Sequence, residues 1–137
     1  MGQLDGQAAI VTGAGSGVGR ASALALAGEG AAVALAGRRE EPLRETAALL
    51  DWQGADAGRA LVTPCDVSAP EQVRDMVAQT LDHFGRIDAL VNNAGLNVPR
   101  RSLAELDPDD WRRIVAVNLE GPCARIEELV LLSSYVG

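Results

Sequence analysis

The chain has 137 residues, 47% of them hydrophobic and 23% charged, a balance that suits one globular domain over 1–137 with a core of its own. Its net charge of −7 argues against a nucleic-acid partner, which needs a basic face. No apolar run approaches the roughly 20 residues that span a bilayer, so no membrane partner is expected.

The opening Met1-Gly2-Gln3-Leu4-Asp5-Gly6 has neither a basic region nor an apolar one, and this predicts a cytoplasmic protein without an export signal. Cys65 and Cys123 are then expected as buried or half-buried thiols. With His83 as the lone histidine, no metal site is expected. All twelve basic residues are arginines, no lysine is present, and Tyr135 is the single tyrosine.

In chain order, Ala8–Thr12 is a short apolar run ending in glycines, the pattern of a buried parallel strand. An Ala- and Leu-rich helix follows from about Val18 to Glu29, with Gly30 as its stop. Ala32–Ala36 is the second strand and Glu40–Trp52 the second helix. Ala60–Thr63 is the third strand. Ser68, with Glu71 three residues on, reads as a capping box opening a helix that ends near Phe84. Ala89–Asn92 is the fourth strand, Asp107-Pro108 opens a further helix, and Leu129–Leu132 is the fifth strand. Trp52 and Trp111 read as packing residues, His83 as a solvated residue near a helix end, and Arg100-Arg101 as a solvated loop.

This alternation predicts an α/β fold, a doubly wound parallel sheet of five strands in the order 3-2-1-4-5. Such sheets bind ligands beyond the carboxyl ends of their strands. Those ends carry Gly13–Gly19, Asp66, Asn92–Gly95 and Ser133-Ser134.

The first of these loops, Gly13-Ala14-Gly15-Ser16-Gly17-Val18-Gly19, lies between a strand and a helix. There Gly13 permits a tight turn, Gly17 lets the backbone approach a pyrophosphate, and Gly19 lets the helix pack close to the sheet. The helix N-terminus offers unpaired N–H groups and partial positive charge to the phosphates. Ser16 and Val18 complete the expected cofactor-binding loop. An acidic residue after the second strand would suit NAD(H), but that position is Gly37, followed by Arg38 and Arg39. Two cations before a helix start oppose its dipole, and a 2′-phosphate lying over them would explain the placement. The alternative is a solvated pair answering Glu40 and Glu41. NADP(H) is therefore expected over NAD(H).

The order of motifs resembles the short-chain dehydrogenase/reductase family. The matching pieces are Thr12-Gly-x-x-x-Gly-x-Gly19, Asp66-Val67, Asn92-Asn93-Ala94-Gly95, Asn118 before Leu119-x-Gly121, and Ser134 before x-x-Gly137. The resemblance implies a Rossmann-like fold and hydride transfer between a nicotinamide and a small carbonyl or alcohol substrate. It implies that Asp66 and Val67 hold the adenine and that Asn92, Ala94 and Gly95 border the cofactor. Asn118 would hold a water of the proton relay, and Ser134 would bond the substrate oxygen.

The family's reaction also needs a Tyr-x-x-x-Lys pair beyond the serine, in which the lysine lowers the pKa of the tyrosine. No lysine is present, and Tyr135 directly follows Ser134. Ser134 stands only 16 positions after Asn118, fewer than is usual in the family, which suggests an internal deletion or an incomplete chain. The expectation is a catalytically incomplete core of an oxidoreductase, the alternatives being a dinucleotide-binding module without turnover or an inactive folding fragment. Without the family's later strands, Leu90, Val91 and Leu129–Leu132 would leave an open apolar edge, and self-association is expected.

Overall fold

The computed structural model describes residues 2–52, 59–93 and 108–109. Strand β1 (Ala8–Thr12) is buried at all its positions, as a strand covered on both faces must be. Helix α1 (Gly17–Gly28), β2 (Ala32–Gly37), α2 (Glu40–Trp52), β3 (Ala60–Pro64), α3 (Pro70–Phe84) and β4 (Ala89–Val91) follow in strict alternation. Each strand pairing is parallel, and the sheet order is β3-β2-β1-β4. This matches the first four places of the expected order. The fifth strand, expected at Leu129–Leu132, lies outside the described residues. Pro108 and Asp109 are helical, at the start expected there.

The period-2 alternation of the strands sorts their side chains into two cores. Ile10, Ala34 and Ala36 pack on one face with Val73, Met76 and Val77 of α3. Val11, Val33 and Leu35 pack on the other with Ala23 of α1 and Leu43 and Leu50 of α2. The buried residues of α3 recur at helical spacing (Val73, Met76, Val77, Thr80), so one stripe of that helix meets the sheet. Ile10 is fully buried at the centre of the α3-side core. Ile10→Val removes one methylene there and is expected to cost about 0.5–1.5 kcal/mol in chemical denaturation. A change within error would mean that this face is loosely packed.

Glycines end two of the helices. Gly30 has φ +100; its N–H donates to Ala27 O and that of Ala31 to Leu26 O, the paired bonds of a Schellman ending. Gly85 takes the left-handed conformation after α3. His83, exposed in the last turn of α3, meets Phe84 edge to face.

Two sequence expectations are corrected. The Ser68/Glu71 capping box does not form: Ala69 is the N-cap, Pro70 is the first helical residue, and no side chain caps α3. The Ser68 hydroxyl instead donates to Asp66 Oδ1 at 2.6 Å, because a charged acceptor two residues away is the stronger partner. Trp52 is not a packing residue in this structure: it is 90% exposed at the end of α2.

Candidate functional site

The parallel sheet brings the loops after β1, β2, β3 and β4 to one end of the molecule. They surround a cleft of about 740 Å³. Gly13, Ser16, Gly17 and Val18 line one part, Arg38 and Arg39 another, and Cys65, Val67 and Asn93 a third; Arg20, Pro42 and Glu45 also line it.

The glycines of the first loop have distinct physical reasons. Gly13 has φ +64, and the N–H of Ala14 then reaches back to Ala36 O at 3.1 Å, seating the loop on β2. Gly17 has φ +54 at the start of α1, and nothing lies within 4 Å of the place a Cβ would take. Its backbone is open to an approaching ligand. Gly19 is the opposite case: a Cβ there would collide with Gly13 O and come within 2.6 Å of Asn93 Nδ2.

Asn93, part of the Asn92–Gly95 motif, has no separate role in the sequence reading. Its N–H donates to Thr12 Oγ1 at 3.0 Å and its Nδ2 to Gly13 O at 3.4 Å, while the Thr12 hydroxyl donates to Val91 O at 3.3 Å. These bonds tie the end of β4 to the end of β1 and hold the first turn of the loop. The adjacent asparagines of the Asn92–Gly95 motif were the available signal. Asn92 is exposed just past β4.

Arg20 and Thr46 are not among the residues the sequence points to, and Gly15 has no separate role there. A Cβ on Gly15 would meet Pro42 Cβ at 2.7 Å, so the loop lies directly on the first turn of α2. Arg20 reaches across the same junction. Its Nε donates to Thr46 Oγ1 at 2.9 Å, and its Nη2 to Gly15 O at 2.5 Å and to Pro42 O at 3.2 Å. Thr46 is fully buried, and its hydroxyl lies 2.8 Å from Ala14 O. The glycine spacing could have pointed to Gly15. Nothing local marks Arg20 or Thr46, whose meeting depends on how α1 and α2 pack.

Arg38 and Arg39 are exposed on the rim of the cleft. Glu40 is engaged elsewhere, with Arg44 one turn along α2 at 2.6 Å. Asp66, half-buried after β3, has a pKa below the ordinary carboxylate value. The Ser68 hydroxyl is the main cause; burial opposes it, and the Ser68 N–H and the charge of Arg38 assist. The N–H of Asp66 donates to Gln72 Oε1 at 2.7 Å.

A carboxylate whose pKa is lower folded than unfolded adds stability above its unfolded value of about 3.9. That contribution fades as pH falls through the folded value. Ser68→Ala should raise the Asp66 pKa toward the ordinary value in a carboxyl-carbon NMR titration. An unmoved pKa would mean that Arg38 outweighs the hydroxyl.

Ala94, Gly95, Asn118, Ser134 and Tyr135 lie outside the described residues, as do Cys123, Arg100-Arg101 and Trp111. Among the described residues no group of His, Cys, Asp or Glu could hold a metal, and no helix is long and apolar enough to cross a membrane.

Known proteins carry the same architecture. The family described as "short chain dehydrogenase" matches residues 7–131. A short chain dehydrogenase/reductase of Aspergillus oryzae is 48% identical over 118 residues, covering 86% of this chain and 44% of that one. The meso-2,3-butanediol dehydrogenase of Serratia marcescens is 40% identical over 119 residues, covering 87% of this chain and 45% of that one. The crystal structure of a 3-ketoacyl-(acyl-carrier-protein) reductase from Brucella melitensis, complexed with NADH, superposes with a TM-score of 0.85 at 34% identity. That match covers 93% of this chain and 50% of the other. The chain thus spans about half the length of the curated relatives it matches. With a matching β-α alternation, glycine loop and family match over most of its length, the chain belongs to the short-chain dehydrogenase/reductase family.

Proposed function

We propose that this chain is the dinucleotide-binding portion of an NAD(P)(H)-dependent oxidoreductase acting on a carbonyl/alcohol pair, with NADP(H) preferred over NAD(H). The observation that carries the reading is the cleft in which the open backbone of Gly17 and the exposed Arg38 and Arg39 face a common space. A bound nicotinamide dinucleotide supplies the hydride acceptor or donor. Gly13, Ser16, Gly17, Val18 and Gly19 would hold its pyrophosphate, helped by the N-terminus of α1. Arg38 and Arg39 would hold a 2′-phosphate. Asp66 and Val67 would hold the adenine, and Asn92, Ala94 and Gly95 would border the cofactor. Asn118 and Ser134 would be the active-site residues, in the roles of water-holding and substrate-bonding groups.

Engagement of Glu40 by Arg44 supports the NADP(H) preference, because it removes one of the two acids that could have answered the Arg38-Arg39 pair. The names of the relatives support the substrate class, since a butanediol dehydrogenase and a ketoacyl reductase both exchange alcohol for carbonyl. Absence of a Tyr-x-x-x-Lys pair from these 137 residues supports binding without turnover.

The test is a fluorescence titration of the purified chain with NADPH and, separately, NADH, followed by an assay for turnover. Saturable binding tighter for NADPH, with no turnover, is expected. Equal affinities would remove the NADP(H) preference, and no binding to either would overturn the proposal in favour of an inactive folding fragment.

A further inference from the structure

The junction between the glycine loop and α2 carries more hydrogen bonding than a turn needs. Arg20 Nη2, with two protons, faces Gly15 O, Pro42 O and Glu45 Oε2, the last at 3.2 Å. Its Nε is committed to Thr46. The Thr46 hydroxyl accepts from Arg20 and lies 2.8 Å from Ala14 O, within a fully buried setting. Arg20 lines the cleft, and its Nε and Nη2 are turned to protein acceptors on α2 and the loop.

The effect on the loop follows from peptide geometry. In a planar trans peptide the C=O and the following N–H point in opposite directions. Pinning Ala14 O and Gly15 O to Thr46 and Arg20 therefore turns the N–H groups of Gly15 and Ser16 away from α2. Both residues line the cleft. Without the clamp, either peptide could rotate and present a carbonyl oxygen, which repels an anion.

Resting on the dinucleotide reading above, we infer that Arg20 and Thr46 are positioning residues that aim the Gly15 and Ser16 N–H groups at the cofactor pyrophosphate. Thr46, fully buried and not part of the cleft lining, acts only through the carbonyl it holds. Because Arg20 of α1 meets Pro42, Glu45 and Thr46 of α2, which begins directly after Arg38-Arg39, the pair also fixes the spacing between the pyrophosphate loop and the 2′-phosphate end of the cleft.

The test compares three probes: NADPH, inorganic pyrophosphate and adenosine 2′-monophosphate, which lacks a pyrophosphate. Thr46→Val deletes the hydroxyl at similar volume, Thr46→Ser restores it, and Arg20→Gln opens the clamp from its more exposed side. Thr46→Val and Arg20→Gln should each weaken NADPH and pyrophosphate on the order of tenfold, the loss expected when donors to a charged acceptor are misdirected. Adenosine 2′-monophosphate affinity should not change, and Thr46→Ser should recover most of the loss. Amide NMR should show the Gly15 and Ser16 signals shifting with pyrophosphate in the wild type and much less in Thr46→Val.

If all three probes weaken together with the melting temperature, the pair is merely structural and the inference is wrong. Undiminished pyrophosphate binding by Arg20→Gln, which keeps the buried hydroxyl, also overturns it. A wild-type chain that binds pyrophosphate at these amides but not NADPH overturns the dinucleotide reading alone, and the variants still test the clamp on pyrophosphate. A wild type that binds neither overturns both.

Discussion

Gly19→Ala is expected to destabilise the fold by about 1–3 kcal/mol, although alanine is the better helix former. Two effects of opposite sign compete. Replacing glycine by alanine within a helix gains about 0.8–1.0 kcal/mol of propensity. Against this, the new Cβ would collide with Gly13 O and come within 2.6 Å of Asn93 Nδ2. The carbonyl cannot move away cheaply, because Gly13 stands at φ +64 directly after β1 and the same oxygen is already held by Asn93. Relief requires α1 to move off the sheet, which opens the core around Ala23.

Gly28→Ala is the control. It sits at the last position of the same helix, with nothing within 4 Å of its Cβ position, and should be neutral or slightly stabilising. Chemical denaturation of the two variants decides the matter: Gly19→Ala as stable as Gly28→Ala would show that the close approach of α1 to β1 is not required. Because Gly13 belongs to the loop that lines the cleft, Gly19→Ala should also lose NADPH binding.

Replacing Arg38 and Arg39 together by alanine should weaken NADPH about 10- to 100-fold and leave NADH within about twofold. The magnitude follows from losing hydrogen bonds to a charged acceptor, worth roughly 1.5–3 kcal/mol. Both side chains are exposed, so they do not hold the fold, and the melting temperature should stay near that of the wild type. The NADPH preference of the wild type should shrink as salt rises, because exposed charges are screened. Paired titrations of NADPH and NADH against the double variant are the measurement. A parallel loss for both cofactors would mean that the arginines act on the shared part of the dinucleotide, and the NADP(H) preference would lose its basis.

Much of this protein could be read along the chain. Buried parallel strands read as apolar runs such as Ala8–Thr12 because both their faces are covered. Gly30 could be assigned as a helix stop because its left-handed φ is a local requirement. The turns at Gly13 and Gly17 could be placed for the same reason: both have positive φ, which glycine adopts readily. Arg38 and Arg39 were legible because they stand where an acid would otherwise be expected after β2.

Other features depended on distance through space. Thr46 is a mid-helix polar residue in sequence; packing against a loop 32 positions away makes it a fully buried support for Ala14. Arg20 looks like a surface residue of α1 until α2 brings Pro42, Glu45 and Thr46 to it. Ser68 matched a capping pattern, yet its hydroxyl went to Asp66, because one donor proton follows the stronger nearby acceptor. Sequence alone therefore determined the order of the described strands and helices, the place of the glycine loop and the place of the arginine pair, all of which rest on local backbone and periodicity. The tertiary structure decided which carbonyls are held and which N–H groups are left to face the cleft, because those depend on side chains that meet only when α1 and α2 pack on the same face of the sheet.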